Sequence, residues 1–242
     1  MTRAVPFLVS LLCCSAGAVR AQGPIDPVAG PGPMMKTLDQ IEPRFLIESL
    51  PYVIEKPGSY VLAGNAMLGS TNEHGITVQA NDVVLDLGGF TLEGPTDGNG
   101  EPLPESGSAI HQEDAYRMLT VRNGSIQKWN DQGAEGAGMV RLLGAGNQVE
   151  NLTVRFCSRG IQTGPQAIVR NCRILNIAEE DAAFGIQAGP GSVVKDCTVA
   201  VVLGAPANGI HVGRNSVVAG CTVVSNWSVQ GVQSFGITAE AH

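Results

Sequence analysis

Aromatic and charged residues are scarce in this sequence of 242 residues. Aromatic side chains account for 5% of the chain and charged ones for 15%, and acidic residues outnumber basic ones, which leaves a formal net charge of -7. The scarcity of aromatics argues against one thick core built around large rings. An apolar share of 43% is nevertheless enough to bury a core and excludes a disordered chain. The negative charge excludes a general nucleic-acid binder, because such proteins present a basic surface to phosphates.

Several sequence patterns are also missing. After residue 21 no stretch is long and apolar enough to cross a bilayer, so we expect no membrane span once a leader is removed. No P-loop, dinucleotide-binding fingerprint or Ser/His/Asp triad motif is present. No segment of helical length repeats apolar residues at spacings of three and four, which excludes solenoids built from helical repeats.

The first 21 residues have the pattern of a secretory signal peptide. Arg3 supplies the positive start, an apolar stretch follows, and Val19 and Ala21 are the small residues expected before a cleavage site. Its removal would take Cys13 and Cys14 and leave four cysteines. We therefore expect a protein that is secreted, periplasmic or held at the cell surface.

The rest of the chain divides into three parts by composition. Residues 22–33 are rich in Gly and Pro and predict a flexible or extended linker. We assign residues 34–65 to an N-terminal cap and residues 66–242 to a series of repeated coils.

Glycine is common, with 31 residues, and several glycines open a repeated unit about 25 residues long. The clearest copies of this first motif are Gly160-Ile161-Gln162, Gly185-Ile186-Gln187, Gly209-Ile210-His211 and Gly236-Ile237-Thr238. A second motif, with the same period, contains Cys172, Cys197 and Cys221. Because both motifs share one period, they belong to one structural unit that is repeated.

Each unit consists of short β-branched runs with alternating polarity, broken by Gly, Asn or Asp, which is typical of strands. We predict an all-β chain folded as a right-handed parallel β-helix of about six coils, in which each coil buries its inner face against its neighbours. Cys172, Cys197 and Cys221 would then point inward as a column of unreactive thiols. A column of Asn123, Asn151, Asn171 and Asp196, with Gly89 and Gly220 at its ends, would form the bends between strands.

The sequence stops just inside a further coil, at Gly236-Ile237-Thr238. The last strands would then present open edges, which invite pairing with another chain. We expect either a truncated product or a stack that another chain completes, and hence self-association through the C-terminal coil.

The residues that carry the repeats resemble the pectin-lyase-like superfamily of right-handed parallel β-helix proteins. The lead-in segments resemble a group of exported bacterial β-helix proteins: Met35-Lys36-Thr37-Leu38-Asp39-Gln40-Ile41-Glu42-Pro43-Arg44, Lys56-Pro57-Gly58-Ser59-Tyr60-Val61-Leu62-Ala63-Gly64-Asn65, Gly75-Ile76-Thr77-Val78 and Val83-Val84-Leu85-Asp86-Leu87-Gly88-Gly89-Phe90-Thr91-Leu92. No motif matches the calcium-binding acids of pectate lyases or the paired aspartates of polygalacturonase-type hydrolases. The resemblance therefore implies a fold and assigns no catalytic residue.

A polar residue follows the unit-opening Ile or Val of each repeat. If the Ile points inward, these residues form one outward column, which we call the polar stripe: Thr77, His111, Arg141, Gln162, Gln187, His211 and Thr238. Imidazole, guanidinium and amide groups can bind sugar hydroxyls or carboxylates, so His111, Arg141, Gln162, Gln187 and His211 are candidate substrate-binding residues. The alternative is an ordinary surface, because exposed positions of a sheet are usually polar.

Arg170 is a further candidate for binding an anionic polysaccharide, since a guanidinium can bind a carboxylate through two parallel bonds. The alternative is a salt-bridge ladder, because Arg122, Glu150, Arg170 and Lys195 share another outward column with Glu150 between two arginines.

We predict no metal ligands and no cofactor. The best Ca²⁺ candidate is Glu179-Glu180-Asp181, but consecutive acids do not face one point, so a solvated loop is the better interpretation. His111-Gln112-Glu113-Asp114 could hold an acid–base pair. The predicted function is association with extracellular or cell-surface polysaccharide, with a lyase or glycoside hydrolase reaction if the protein is catalytic. The alternative is a non-catalytic structural or adhesive β-helix protein.

Overall fold

A computed structural model describes residues 43–130, 139–179, 182–228 and 233–240. The predicted signal peptide, the predicted linker and the first part of the predicted cap lie outside these residues. Within the described ranges the chain is all β-strand, with no helix, which confirms the all-β prediction. The described segments accordingly contain no helix of a length and hydropathy suited to crossing a membrane.

The strands are short, and most are three to seven residues long. In chain order they are β1 (Phe45–Ile47), β2 (Tyr52–Ile54), β3 (Gly58–Leu62), β4 (Ala66–Met67), β5 (Ile76–Val78), β6 (Val83–Asp86), β7 (Thr91–Glu93), β8 (Ile110–Gln112), β9 (Leu119–Gln127), β10 (Val140–Leu142), β11 (Gln148–Cys157), β12 (Ile161–Thr163), β13 (Ile168–Arg170), β14 (Arg173–Ala178), β15 (Ala183–Ala188), β16 (Val193–Lys195), β17 (Thr198–Gly204), β18 (Ala207–Val212), β19 (Val217–Ala219), β20 (Thr222–Ser228) and β21 (Phe235–Ala239).

The strands form two sheets in which every strand pairing is parallel. The smaller sheet has eight strands in the order β2-β5-β8-β10-β12-β15-β18-β21. The larger sheet has 13 strands, and its path β1-β3-β6-β9-β11-β13-β16-β19 is joined by β4, β7, β14, β17 and β20. Each strand pairs with its counterpart one repeat away rather than with its neighbour in the chain. This topology is consistent with a β-solenoid.

The predicted Asn column forms bends in the larger sheet. Asn123, Asn151, Asn171 and Asp196 have φ between 53° and 58°, and Gly220 has φ 64°. Strand register places these positions next to one another. Left-handed backbone is tolerated best by Gly, Asn and Asp, so the prediction that this column turns the chain is confirmed.

Two further columns of left-handed backbone were not predicted. One consists, apart from Asn176, of residues that rarely adopt this conformation: Lys128, Phe156, Asn176, Val201 and Ser225, with φ between 53° and 61°. The other lies between the smaller and the larger sheet and contains Asp82, Met118, Gly146, Gln166, Gly191 and Asn215. The chain therefore turns at three recurrent positions in each repeat.

Four of the glycines that open a unit, Gly75, Gly160, Gly185 and Gly209, are needed for close packing between neighbouring repeats. A Cβ atom at Gly160 would overlap the carbonyl oxygen of Gly185, and one at Gly185 would overlap a methyl group of Val199. Backbone therefore packs directly against the next repeat at this position. This contact explains why Gly recurs there although its φ is unexceptional.

Apolar side chains fill the space between the sheets, and the cysteines lie among them. Cys172 and Cys197 are fully buried in adjacent repeats, and Cys221, the third in the column, is partly exposed. Cys157 lies outside this column and is also buried. All four thiols are free. Because Cys172 and Cys197 are buried, the inward column is confirmed for these two residues.

The strands at either end of the described stack carry exposed apolar side chains. Leu46 on β1 is 58% exposed, and Trp227 on β20 and Ile237 on β21 are 66% and 51% exposed. Self-association through the C-terminal strands stays a prediction.

Candidate functional site

The polar stripe runs across the smaller sheet in exact register. The strand pairings place Thr77, His111, Arg141, Gln162, Gln187, His211 and Thr238 side by side on seven successive strands. The residue before each of the first six is a fully buried Ile or Val. The alternation of a strand therefore turns the stripe away from the core.

Side chains in the second half of the stripe contact one another. Gln162 Nε2 donates a hydrogen bond to Gln187 Oε1 at 3.4 Å. The ring nitrogen Nδ1 of His211 lies 2.9 Å from the hydroxyl oxygen of Thr238. These residues are half-buried, as expected for the outer face of a sheet, and their remaining polar atoms can bind a ligand, except Gln162 Oε1, which is buried.

His111 is the exception, because it is buried although it belongs to the stripe. Its side chain is 6% exposed. The ring of His74, from the segment before β5, covers it with 4.0 Å between ring centroids and 2° between ring planes. The outward face is therefore closed at this point by a residue that the sequence analysis did not select. No sequence signal identifies His74, because its position depends on the path of the segment that precedes Gly75.

Hydrogen bonds define the proton positions on the two imidazoles. Ser108 donates its backbone N–H to Nδ1 of His74 at 2.9 Å, so this nitrogen carries no proton and Nε2 carries it in the neutral ring. His111 Nε2 lies 2.9 Å from Glu113 Oε1, and an ionised carboxylate only accepts, so His111 donates there. The expected acid–base pair within 111–114 is therefore His111 and Glu113.

Burial, together with the neighbouring His111 and Arg141, lowers the pKa of His74 from 6.5 to about 4. The hydrogen bond from His111 lowers the pKa of Glu113, and the positive charge of Arg141 acts in the same direction. At neutral pH the cluster therefore contains an uncharged His74, an ionised Glu113 and a charged Arg141.

Arg141 supplies the charge of the stripe. Its side chain is half-buried, and its Nε is buried without a hydrogen-bond partner. It forms no ion pair with any described residue, and the carboxylate of Glu113, which its positive charge influences, is bonded to His111. A half-buried guanidinium without an ion-pair partner can bind the carboxylate of a ligand through charge-assisted hydrogen bonds.

Arg170 lies on the larger sheet, away from the polar stripe. It pairs in register with Glu150, and its guanidinium bonds that carboxylate. Earlier in the same column Arg122 Nε bonds Asp86 Oδ2 at 3.0 Å. The ladder interpretation is therefore confirmed for Arg170 and Glu150, whereas Arg122 pairs with Asp86, which the predicted column did not include. Because Arg170 lies on the larger sheet, the six sequence candidates do not lie on one surface.

A cleft of about 580 Å³ opens at the ends of β9, β11, β14 and β17, and the sequence analysis did not anticipate it. Its lining includes Trp129, Phe156, Ile177, Val201 and Leu203, with Lys128 at its edge. Lys128 forms a 3.0 Å ion pair with Glu93, so its charge is already neutralised. The cleft is thus mainly apolar and unlike the polar stripe.

The calcium candidate falls mostly outside the described residues, which include Glu179 but neither Glu180 nor Asp181. Within the ranges that the structure describes, no three His, Cys, Asp or Glu side chains are grouped so that they could hold a metal ion.

No family model, no curated protein and no solved structure matches this chain.

Proposed function

We propose that this chain is an exported right-handed parallel β-helix protein of the pectin-lyase-like type, with about six coils, that binds extracellular or cell-surface polysaccharide along the polar stripe. The catalytic form of this proposal is a lyase or glycoside hydrolase that acts on the bound polymer. The non-catalytic form is a structural or adhesive protein.

One observation carries the binding proposal: Arg141 is half-buried in a continuous row of hydrogen-bonding side chains and has no ion-pair partner among the described residues. Holding a guanidinium partly away from water without a counter-ion is unfavourable, so an acidic ligand at this position would stabilise it. An anionic polysaccharide provides both the carboxylate for Arg141 and the hydroxyls for its neighbours.

The shape of the stripe supports a long ligand. Neighbouring parallel strands are about 4.8 Å apart, so polar side chains recur at this interval across seven strands. Sugars in an extended polymer recur on a similar length scale. A polysaccharide that lies across the strands would therefore contact about one side chain of the stripe with each sugar.

A specific observation favours the non-catalytic form. His111 has the arrangement of a general base, with Glu113 bonded to Nε2 and Nδ1 without a partner. However, Nδ1 is closed to solvent beneath the neighbouring side chains. A base that cannot reach its substrate cannot remove a proton from it, so catalysis would require His74 to move aside.

The binding proposal is tested by retention of the protein on a panel of immobilised acidic glycans at low ionic strength. We expect the wild-type protein to be retained and to elute as salt screens the charge of Arg141. Arg141→Ala should elute early, whereas the matched variant Arg155→Ala, which removes an arginine bonded to Gln127 on the larger sheet, should elute with the wild type. Loss of retention in both variants would overturn the proposal. Failure of the wild-type protein to be retained on any glycan of the panel would overturn it as well.

The same panel of glycans distinguishes the catalytic form of the proposal from the non-catalytic form. A lyase releases products with absorbing double bonds, and a hydrolase releases new reducing ends. Binding without either product identifies the non-catalytic form.

A further inference from the structure

The stripe contains a single arginine and no lysine. From β5 to β21 its residues are Thr77, His111, Arg141, Gln162, Gln187, His211 and Thr238. A surface that binds a polymer with a charge on every sugar needs a cation at each interval. This stripe offers one permanent cation and, beyond it, carboxamides.

On the β8 side of Arg141, the polar stripe disfavours a second anion. Glu113 is exposed and ionised there, held by His111 Nε2 at 2.9 Å. His74 stacks on His111 and contributes a neutral ring whose Nε2–H can donate. A second carboxylate placed here would meet a like charge without a counter-ion, which is unfavourable.

On the other side of Arg141 the stripe continues with two amides. Gln162 donates to Gln187, and the amide nitrogen of Gln187 has no acceptor among the described side chains. Gln162 Oε1 is buried without a partner, and as an acceptor it cannot bind a carboxylate, which also only accepts. Amides pair well with sugar hydroxyls, which both donate and accept, but they do not neutralise a carboxylate.

We propose that the stripe is specific for an acidic heteropolysaccharide in which isolated carboxylates are separated by neutral sugars. One carboxylate binds Arg141, and the neutral sugars that follow it cross Gln162, Gln187 and His211. This inference depends on the proposed polysaccharide binding and adds the charge pattern of the ligand. A homopolymer of uronic acids would have to place desolvated carboxylates over the two amides and is therefore disfavoured.

The inference is tested by calorimetric titration with oligosaccharides of matched length at physiological ionic strength. The probes are gellan fragments, which are linear and carry one glucuronate in each repeat of otherwise neutral sugars, oligogalacturonides, which carry one on every sugar, and carboxyl-reduced gellan fragments. We expect gellan fragments to bind about tenfold more tightly than either other probe. Compared with carboxyl-reduced fragments they gain one charge-assisted contact with Arg141, and compared with oligogalacturonides they leave no carboxylate unpaired.

Three variants show which residues cause the difference. Arg141→Ala should bind intact and carboxyl-reduced gellan fragments equally, and Arg141→Lys should recover part of the difference, which excludes misfolding as the cause. Gln187→Leu should weaken gellan binding without improving the binding of carboxyl-reduced fragments. Equal or tighter binding of oligogalacturonides by the wild type overturns the inference but leaves the proposed function in place, whereas the absence of binding to every probe overturns both.

Discussion

The imidazole rings of His74 and His111 lie parallel, 4.0 Å apart at their centroids, although one precedes a strand and the other lies within the next strand of the sheet. Their hydrogen bonds differ: His74 accepts from Ser108, and His111 donates to Glu113. The stacked pair therefore brings an acceptor-bound ring and a carboxylate-bound ring together beside the one arginine of the stripe. This arrangement makes the charge at the end of the proposed binding surface depend on pH.

We expect His74 to titrate near pH 4, because burial and the adjoining His111 and Arg141 lower its pKa from 6.5. Between pH 6.5 and 4 the unfolded chain binds a proton there and the folded chain does not, so the free energy of unfolding should fall as the pH falls through this window. Urea unfolding across this range would measure the slope, and NMR titration of the ring would give the pKa.

The matched variant for this titration is His74→Asn, whose amide oxygen can accept from Ser108 without carrying a proton. It should unfold with a weaker dependence on pH between 6.5 and 4 than the wild type. A His74 ring that titrates near 6.5 in the folded protein would contradict the stacked arrangement.

Much of the stripe could be predicted from sequence because the period of the repeats determines strand register. Once Gly160-Ile161 and Gly185-Ile186 are aligned, Gln162 and Gln187 must lie side by side, and they do. The Asn bends were predictable for the same reason, because Asn prefers the backbone conformation that they require.

His74 and the column of bends that contains Phe156 and Val201 could not be predicted from the sequence. His74 reaches the stripe through the path of a connecting segment, which no periodicity describes. Phe156 and Val201 adopt left-handed backbone against their own preferences, because pairing with the neighbouring repeats on both sides determines the local path of the chain. Tertiary packing therefore overrides local propensity at both places.

The glycine contacts between repeats predict sharp intolerance of side chains. Gly185→Ala would place a methyl group against Val199 and 2.7 Å from the carbonyl oxygen of Gly209, so we expect a loss of about 1–3 kcal/mol in the free energy of unfolding. Gly64→Ala is the matched control, because a Cβ there meets no atom within 4 Å. Chemical denaturation of the two variants would measure the difference, and equal stabilities would show that the repeats do not pack this closely.

The cysteines should differ in reactivity according to their burial. Burial raises the pKa of Cys157 to about 12, and it also raises that of Cys221, which is nevertheless partly exposed. Because labelling requires that the reagent reach the sulfur atom, we expect Cys221 to be labelled first by a maleimide under native conditions, and Cys157, Cys172 and Cys197 only after unfolding. Mass spectrometry of peptides from a time course would give the order. Rapid native labelling of Cys172 or Cys197 would contradict their inward placement.

The ion pair between Arg170 and Glu150 predicts a measurable coupling on the larger sheet. The Glu150 side chain is only 13% exposed, whereas that of Arg170 is 52% exposed. In a double-mutant cycle with Arg170→Ala and Glu150→Gln, we expect a coupling of about 0.5–1 kcal/mol, which should decrease as salt is added. A coupling near zero at low salt would contradict a stabilising ion pair between these two side chains.

Val201 stores backbone strain that a substitution should relieve. It has φ 61° and is 36% exposed, and a left-handed conformation costs a residue with a branched Cβ about 1–2 kcal/mol. Val201→Asn should therefore raise the free energy of unfolding by about 1 kcal/mol, since Asn tolerates this backbone conformation. Val224→Asn is the control, because Val224 is 47% exposed on the neighbouring strand and has no positive φ, so it should give no gain. Thermal and urea unfolding of both variants would measure the effect, and a Val201→Asn protein less stable than wild type would show that its contacts in the apolar cleft outweigh the strain.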